Sequence, residues 1–298
     1  MTLEGPDRPR ADAPVPAGQV DWNEAWRAAR ARSPRRRGRE AWDKRAPSFT
    51  RAASSSGYVE RLLELMCPEP GWTVLDVGSG SGTLAVPLAR RVRAVTAVDF
   101  SPRMLELLRA RCAEEGLENV TPVLGAWEDD WAALGLGRCD VALASRSLAV
   151  DDLRGALLKL DGVARLRVFV AAPVGDGPVD RRVFEAAGRP FSPGPDYVYP
   201  YRLLHQLGIP ATVAFIPVAE VRRYPSLDDA LERMLWMLPD ASPVEVERVQ
   251  AWLGRELAQD ADGSWGAAPR TVRWAVISWR AGERNPVEDV GGRSGPSG

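Results

Sequence analysis

Asp76, Gly78, Gly80 and Gly82 alternate across the end of the apolar run Val74-Leu75-Asp76-Val77, with Ser79 and Ser81 between the glycines. Glycine has no Cβ, so such a bend brings backbone N–H groups close to a ligand, and a helix that follows presents its amino end. A carboxylate at the carboxyl edge of the run suits a ligand with a cationic end and is poorly suited to a pyrophosphate. The dinucleotide fingerprint G-x-G-x-x-G is not met, because Thr83 stands where its last glycine belongs. No Lys-Ser/Thr pair follows, which excludes a phosphate-cradling P-loop. A second carboxylate, Asp99, closes the next apolar run, where it can accept hydrogen bonds from both hydroxyls of a ribose. Phe100, Met104 and Trp127 offer an apolar slot for an adenine, although Trp127 fits an ordinary core position equally well.

These residues need a scaffold. Short strands are predicted at 73–77, 94–98, 120–124, 141–144 and 168–172, with helical patterns at 82–91, 104–113 and 153–160. Pro87 should bend the first helix, and Ser101 and Pro102 supply the N-cap and first position of the second. Strands alternating with helices imply an α/β fold with a doubly wound, Rossmann-like parallel sheet. Two further strands, 211–217 and 271–279, are expected as antiparallel partners at one edge, completing seven. Helices at 183–187, 201–207, 227–238 and 243–258 fall in two insertions, about 178–208 and 219–268, over the carboxyl-end rim. A helical preface spans 21–70, with Trp22, Trp26 and Ala29 on one face and Tyr58, Leu62, Leu65 and Met66 on another. The main domain is expected over 71–284. Residues 1–20 and 285–298 lack hydrophobic period and are expected to be disordered.

Composition narrows the function classes. The 298 residues are 45% hydrophobic and 27% charged, with 39 basic against 40 acidic side chains, as in a globular protein. Cys67, Cys112 and Cys139 form no C-x-x-C pair, and His205 is the one histidine, so no metal site or disulfide framework is expected. No run of apolar residues is long enough to span a bilayer, and the charged, proline-rich start is unlike a signal peptide, so the cytoplasm is the expected compartment. Basic residues cluster between Arg27 and Arg51, but Lys44 and Lys159 are the only lysines, so arginine abundance reflects coding bias as readily as chemistry. The near-zero net charge argues against broad nucleic-acid binding.

The series VLDVGSGSGTLA, VTAVDFSPRMLELLRARC, NVTPVLGAWED and CDVALASRSL resembles class I S-adenosylmethionine-dependent methyltransferases, particularly the small-molecule group similar to the quinone-biosynthesis enzymes, the methyltransferase type 11 group. The resemblance runs over about 72–173. The preface segment Ala41-Trp42-Asp43-Lys44-Arg45-Ala46 is similar to the tryptophan-aspartate segment that precedes the first strand in many members.

It implies S-adenosyl-L-methionine as cofactor and S-adenosyl-L-homocysteine as product. Asp76, Gly78, Ser79, Gly80 and Gly82 would hold the methionine end, Asp99 the ribose, and Phe100 and Met104 with Trp127 the adenine. Ala126 departs from the pattern, since many relatives carry an aspartate there for the adenine amino group; Glu128, Asp129 or backbone would substitute. Ser145 and Arg146 would face the transferring methyl. Trp42, Arg146, Tyr197, Tyr199 and Tyr201 are the substrate-side candidates, and His205, Tyr199 and Tyr201 are weak candidates for a base, required only if the acceptor loses a proton.

The expected activity is methyl transfer to a small molecule by in-line displacement. An RNA or protein methyltransferase gripping its acceptor through the basic segment, and a non-catalytic cofactor-binding module, are the alternatives. A homodimer through the preface or the second insertion is one expectation for assembly.

Overall fold

Thr73–Val77 (β1) is buried at four of its five positions, as a strand covered on both faces must be. The computed structural model describes residues 20–33, 38–40, 42–43 and 57–285. Before β1 come helices Trp22–Ala31 (α1) and Tyr58–Met66 (α2). After it follow Ala85–Ala89 (α3), Ala94–Asp99 (β2), Pro102–Glu114 (α4), Val120–Leu124 (β3), Cys139–Ser145 (β4), Leu153–Val163 (α5) and Ala164–Pro173 (β5). The chain continues through Arg181–Ala187 (α6), Val198–Gln206 (α7), Thr212–Glu220 (β6), Arg223–Tyr224 (β7), Leu227–Leu235 (α8), Pro243–Glu256 (α9), Ala258–Gln259 (β8), Trp265–Gly266 (β9) and Arg270–Arg280 (β10).

The seven-stranded sheet runs β3-β2-β1-β4-β5-β10-β6. Its first five strands are parallel, while β10 pairs antiparallel with both β5 and β6. This is the Rossmann-like arrangement with an antiparallel edge expected above. Winding reverses between β1 and β4, and ligands of open α/β sheets bind outside the carboxyl ends of the strands at such a reversal.

Alternate strand residues feed two cores. Val74, Val141 and Leu143 face one, with Tyr58 and Leu62 of α2, Leu88 of α3 and Leu108 of α4. Leu75, Val77 and Ala142 face the other, with Trp26 of α1, Leu157 of α5 and Leu203 of α7. A third cluster, including Val183, Tyr224, Met234 and Val249, lies within the insertions. Among the described residues no helix is long and apolar enough to cross a membrane.

Several boundaries differ from the sequence reading. The helix expected at 82–91 is confined to α3, with residues 81–84 in a turn. Starting at Ala85 puts Pro87 in the first turn, where its missing N–H would have had no partner in any case. Strands β6 and β10 extend beyond 211–217 and 271–279 because their long mutual ladder carries pairing past the apolar alternation. The small sheet β7-β9-β8 was not foreseen; strands of two residues show no periodicity. The arginine run 35–37 and the segments 1–19 and 286–298 lie outside the described residues.

Candidate functional site

The glycine bend is tied to β2: the N–H groups of Gly78 and Ser79 both donate to the Val98 carbonyl, at 2.8 and 3.0 Å. Gly78 has φ +72°, and a Cβ there would stand 2.3 Å from the Cβ of Ser147, so the loop after β4 touches the bend where only glycine leaves room. The Ser147 hydroxyl closes the same contact by donating to the Val77 carbonyl at 2.5 Å.

Asp76 is 2% exposed, and its Oδ2 finds no partner among the described residues. Burial, helped by the nearby charge of Asp99, raises its pKa to about 7. The Ser79 hydroxyl beside it is likewise buried without a partner. Each such orphan, left unpaired, costs roughly 1–3 kcal/mol, so this crevice has hydrogen-bonding capacity open to a ligand or to water.

Asp99 is placed differently. Its Oδ2 accepts from the Gly80 N–H at 2.8 Å and its Oδ1 from the Ser101 N–H at 2.9 Å. Burial raises its pKa, and the backbone hydrogen bonds from Ser101 and Gly80 oppose that rise. A carboxylate has about four acceptor positions, so capacity remains for ligand hydroxyls.

The preface reaches the same place. Ser101 caps α4 by accepting from the Met104 N–H at 3.1 Å and donates its own proton to Asp43 Oδ1. Asp43 therefore sits beside Asp99, while the Trp42 ring lies 6.0 Å from that of Trp236 at the end of α8. Phe100 is half-buried and Met104 buried next to this junction.

Of the two readings the sequence allowed for Trp127, the structure shows the packed one. It packs 5.6 Å from Trp131 at the margin of the second core, and its indole N–H donates to the Ser147 carbonyl at 3.0 Å, tying the loop after β3 to the loop after β4. Ala126 donates its N–H to Asp129 Oδ2 at 2.8 Å, and Glu128 and Asp129 are exposed.

On the β4 side, the hydroxyls of Ser145 and Tyr58 share a hydrogen bond of 2.7 Å. Arg146 follows with φ +60°, its guanidinium 4.4 Å from the Tyr58 ring centroid and 5.3 Å from that of Trp274. Burial pushes the Tyr58 phenol above its ordinary value, with Asp76 adding to the effect and Arg146 opposing it, so one electrostatic neighbourhood links all three.

The other substrate-side candidates lie in packing. Tyr199 meets Trp22 and Trp26 of α1 edge-on, at 5.8 and 6.2 Å, and Tyr197 meets Phe215 of β6 at 5.3 Å. Tyr201 is half-buried against the second core, and His205 is exposed in the last turn of α7. Their helix leans on α1, which is fastened to the loop after β4 by the Trp26 indole N–H on the Val150 carbonyl at 2.7 Å and by Arg30 on Asp151 at 3.2 Å. These residues thus hold the loops around the crevice, a structural reason for aromatic residues there.

Sequence reasoning missed Tyr58, Ser147 and the joining of Trp274 to Arg146. Tyr58 carried only the signal of an apolar helix face, and Ser147 carried none. Further along the rim, an open groove of about 590 Å3 lies between the residues after β5 and the start of β10, lined by Val174, Asp176, Arg181 and Arg273 among others. Asp76 and Asp99 do not line it; the crevice beside the glycine bend is marked instead by its orphaned polar atoms.

A family profile described as a methyltransferase domain matches residues 74–165. An uncharacterized protein of Haemophilus influenzae (strain ATCC 51907 / DSM 11121 / KW20 / Rd) is 34% identical over 241 residues, covering 80% of this chain and 88% of that one. Nocamycin O-methyltransferase of Saccharothrix syringae is 37% identical over 124 residues, 38% of this chain and 42% of that one. Among solved structures, a protein of Bacillus halodurans C-125 named provisionally as a methyltransferase aligns with TM-score 0.52 at 12% identity, covering 76% of this chain and 99% of that one, a likeness of fold.

Proposed function

We propose that this chain, whose residues 74–165 match a methyltransferase-domain profile, is a class I S-adenosylmethionine-dependent methyltransferase that binds the donor over the tips of β1 and β2 and methylates a small molecule held beyond β4. The observation that carries this reading is the buried, unpartnered carboxylate of Asp76 beside a glycine bend, with Asp99 closing the neighbouring strand. When bound, S-adenosyl-L-methionine supplies a methyl group already activated on a sulfonium. Asp76 would hold the cationic methionine end, the backbone of Gly78 to Gly82 would allow its close approach, and the free lone pairs of Asp99 would take the ribose hydroxyls. Phe100 and Met104 would flank the adenine, with Trp127 at its margin.

With an activated donor, the protein's part is alignment and exclusion of water. Holding donor and acceptor in line accounts for roughly 7–11 kcal/mol of barrier reduction, which makes a catalytic triad unnecessary. A base is required only for an acceptor that must lose a proton. The near-neutral net charge and the aromatic side chains around Arg146 support a small molecule over a polyanion. The relative named nocamycin O-methyltransferase supports the same class, through a match confined to 124 residues.

The test is calorimetric titration with S-adenosyl-L-homocysteine, followed by incubation of a metabolite extract with methyl-labelled donor. Binding that weakens at least about tenfold in Asp99→Ala, together with a labelled small product, supports the reading. Binding indifferent to that change refutes the donor site, and label found only in RNA or protein refutes the acceptor class.

A further inference from the structure

Arg146 is half-buried at the carboxyl end of β4, against the rings of Tyr58 and Trp274, which themselves meet edge-on with centroids 6.0 Å apart. Among the described residues no carboxylate forms an ion pair with it, and the titratable group that acts on it directly is the Tyr58 phenol. The stretch 44–56, which leads into Tyr58, contains no Asp or Glu. Other shielded arginines are paired: Arg222 with Asp180 and Glu220, Arg284 with Asp161, Arg189 with Glu245. Withdrawing a cation from water without a counter-ion is unfavourable, and burial accordingly pushes Arg146 below the ordinary arginine value. The backbone adds an independent sign. Its φ of +60° lies in the left-handed region, which a residue other than glycine occupies only when its surroundings enforce it, and the Arg146 N–H is fastened to the Ala171 carbonyl at 2.9 Å.

We propose that Arg146 is the docking point for a carboxylate of the methyl acceptor, which makes that acceptor an organic anion seated against Tyr58 and Trp274. The proposal rests on the methyltransferase reading of the crevice given above. A guanidinium presents a planar fork of N–H donors that matches a carboxylate, and its faces stack on aromatic rings, so the two rings steady the fork while its edge stays free for the ligand. The donor carries a carboxylate too, at its methionine end. Placement assigns the fork to the acceptor: Asp76, the glycine bend and Asp99 stand at the tips of β1 and β2, whereas the rings around Arg146 come from α2 and from β10, on the far side of β4.

The full-length protein, saturated with S-adenosyl-L-homocysteine, is titrated calorimetrically with benzoate and indole-3-acetate and with their uncharged amides. Wild type, Arg146→Gln and Arg146→Lys are compared. The expected result is that a carboxylate binds wild type at least about tenfold more tightly than its own amide, that Arg146→Gln erases this preference, and that Arg146→Lys retains part of it. Affinity for S-adenosyl-L-homocysteine should stay the same in all three. Carboxylates that bind wild type no better than their amides overturn the proposal, a comparison that stands even if a variant folds poorly. A parallel loss of S-adenosyl-L-homocysteine affinity in Arg146→Gln also overturns it, by giving the guanidinium to the donor's carboxylate. Wild type that binds no S-adenosyl-L-homocysteine brings down the donor reading instead, and this proposal with it.

Discussion

Replacing Asp76 with asparagine should make the ligand-free protein more stable at neutral pH while removing donor binding. The carboxyl group is buried, and its pKa is raised from 3.8 to about 7 by burial and by Asp99. An acid whose pKa is higher folded than unfolded binds more protons in the folded state, so stability falls as pH rises between the two values and is level above the higher one. Here the window runs from about pH 4 to about pH 7. At 1.36 kcal/mol per pKa unit the full effect is about 4 kcal/mol, an upper bound. Asparagine is nearly isosteric and does not titrate, so the stability difference between Asp76→Asn and wild type should widen by up to about 1.4 kcal/mol per pH unit across that window. Urea unfolding of both proteins at half-unit steps from pH 4 to pH 8.5 measures this difference, and any fixed offset from the amide itself drops out. The reverse linkage applies to the donor. A cation seated on Asp76 requires the carboxylate, so affinity should fall as pH drops below 7 and binding should release a proton, seen as a dependence of calorimetric heat on buffer ionisation enthalpy. A stability difference that is flat between pH 4 and pH 8, or that narrows as pH rises, would refute the reasoning.

Asp99→Ala strands the Gly80 and Ser101 N–H groups as well as removing the ribose acceptor, so it should cost roughly 1–3 kcal/mol of stability besides weakening S-adenosyl-L-homocysteine, while Asp99→Asn should recover part of the stability in denaturant melts. Gly78→Ala places a Cβ 2.3 Å from that of Ser147 at φ +72°, and should lower the melting temperature and loosen donor binding together. A variant in which Gly78→Ala melts like wild type would remove the steric argument for that glycine. Changing Arg35, Arg36 and Arg37 to serine should leave labelled-methyl transfer and its salt dependence unchanged; a large loss of transfer with RNA or protein as acceptor would instead favour the basic-segment alternative.

How much of this was legible in sequence depends on the distance over which each signal acts. The positions of Asp76 and Asp99 at the carboxyl ends of their strands, the Ser101 and Pro102 start of α4 and the parallel sense of the first five strands follow from periodicity, caps and strand-helix alternation, which are largely local signals. Paired length is not local, which is why β6 and β10 exceed their apolar runs. Trp127 was ambiguous because an aromatic residue after a strand fits a core position and a ligand slot equally well, and only tertiary contacts show that it packs on Trp131 and joins two rim loops through its N–H. The tyrosines after the fifth strand were equally ambiguous, and the packing of α7 on α1 resolved Tyr199 towards Trp22 and Trp26.

The amino-acid order alone determined that two acidic residues and a glycine bend would stand at the carboxyl ends of neighbouring strands, because strand periodicity and helix capping are local signals. Tertiary structure decided their chemistry. Whether Asp76 is charged at neutral pH depends on how completely neighbouring elements exclude water from it and on how near Asp99 comes. Tyr58, Arg146 and Trp274 belong to a preface helix, a loop after β4 and the last strand, and they meet only because α2 packs over the β10 and β6 edge of the sheet. No local pattern encodes a contact among residues so far apart in the chain; close packing of the folded core does.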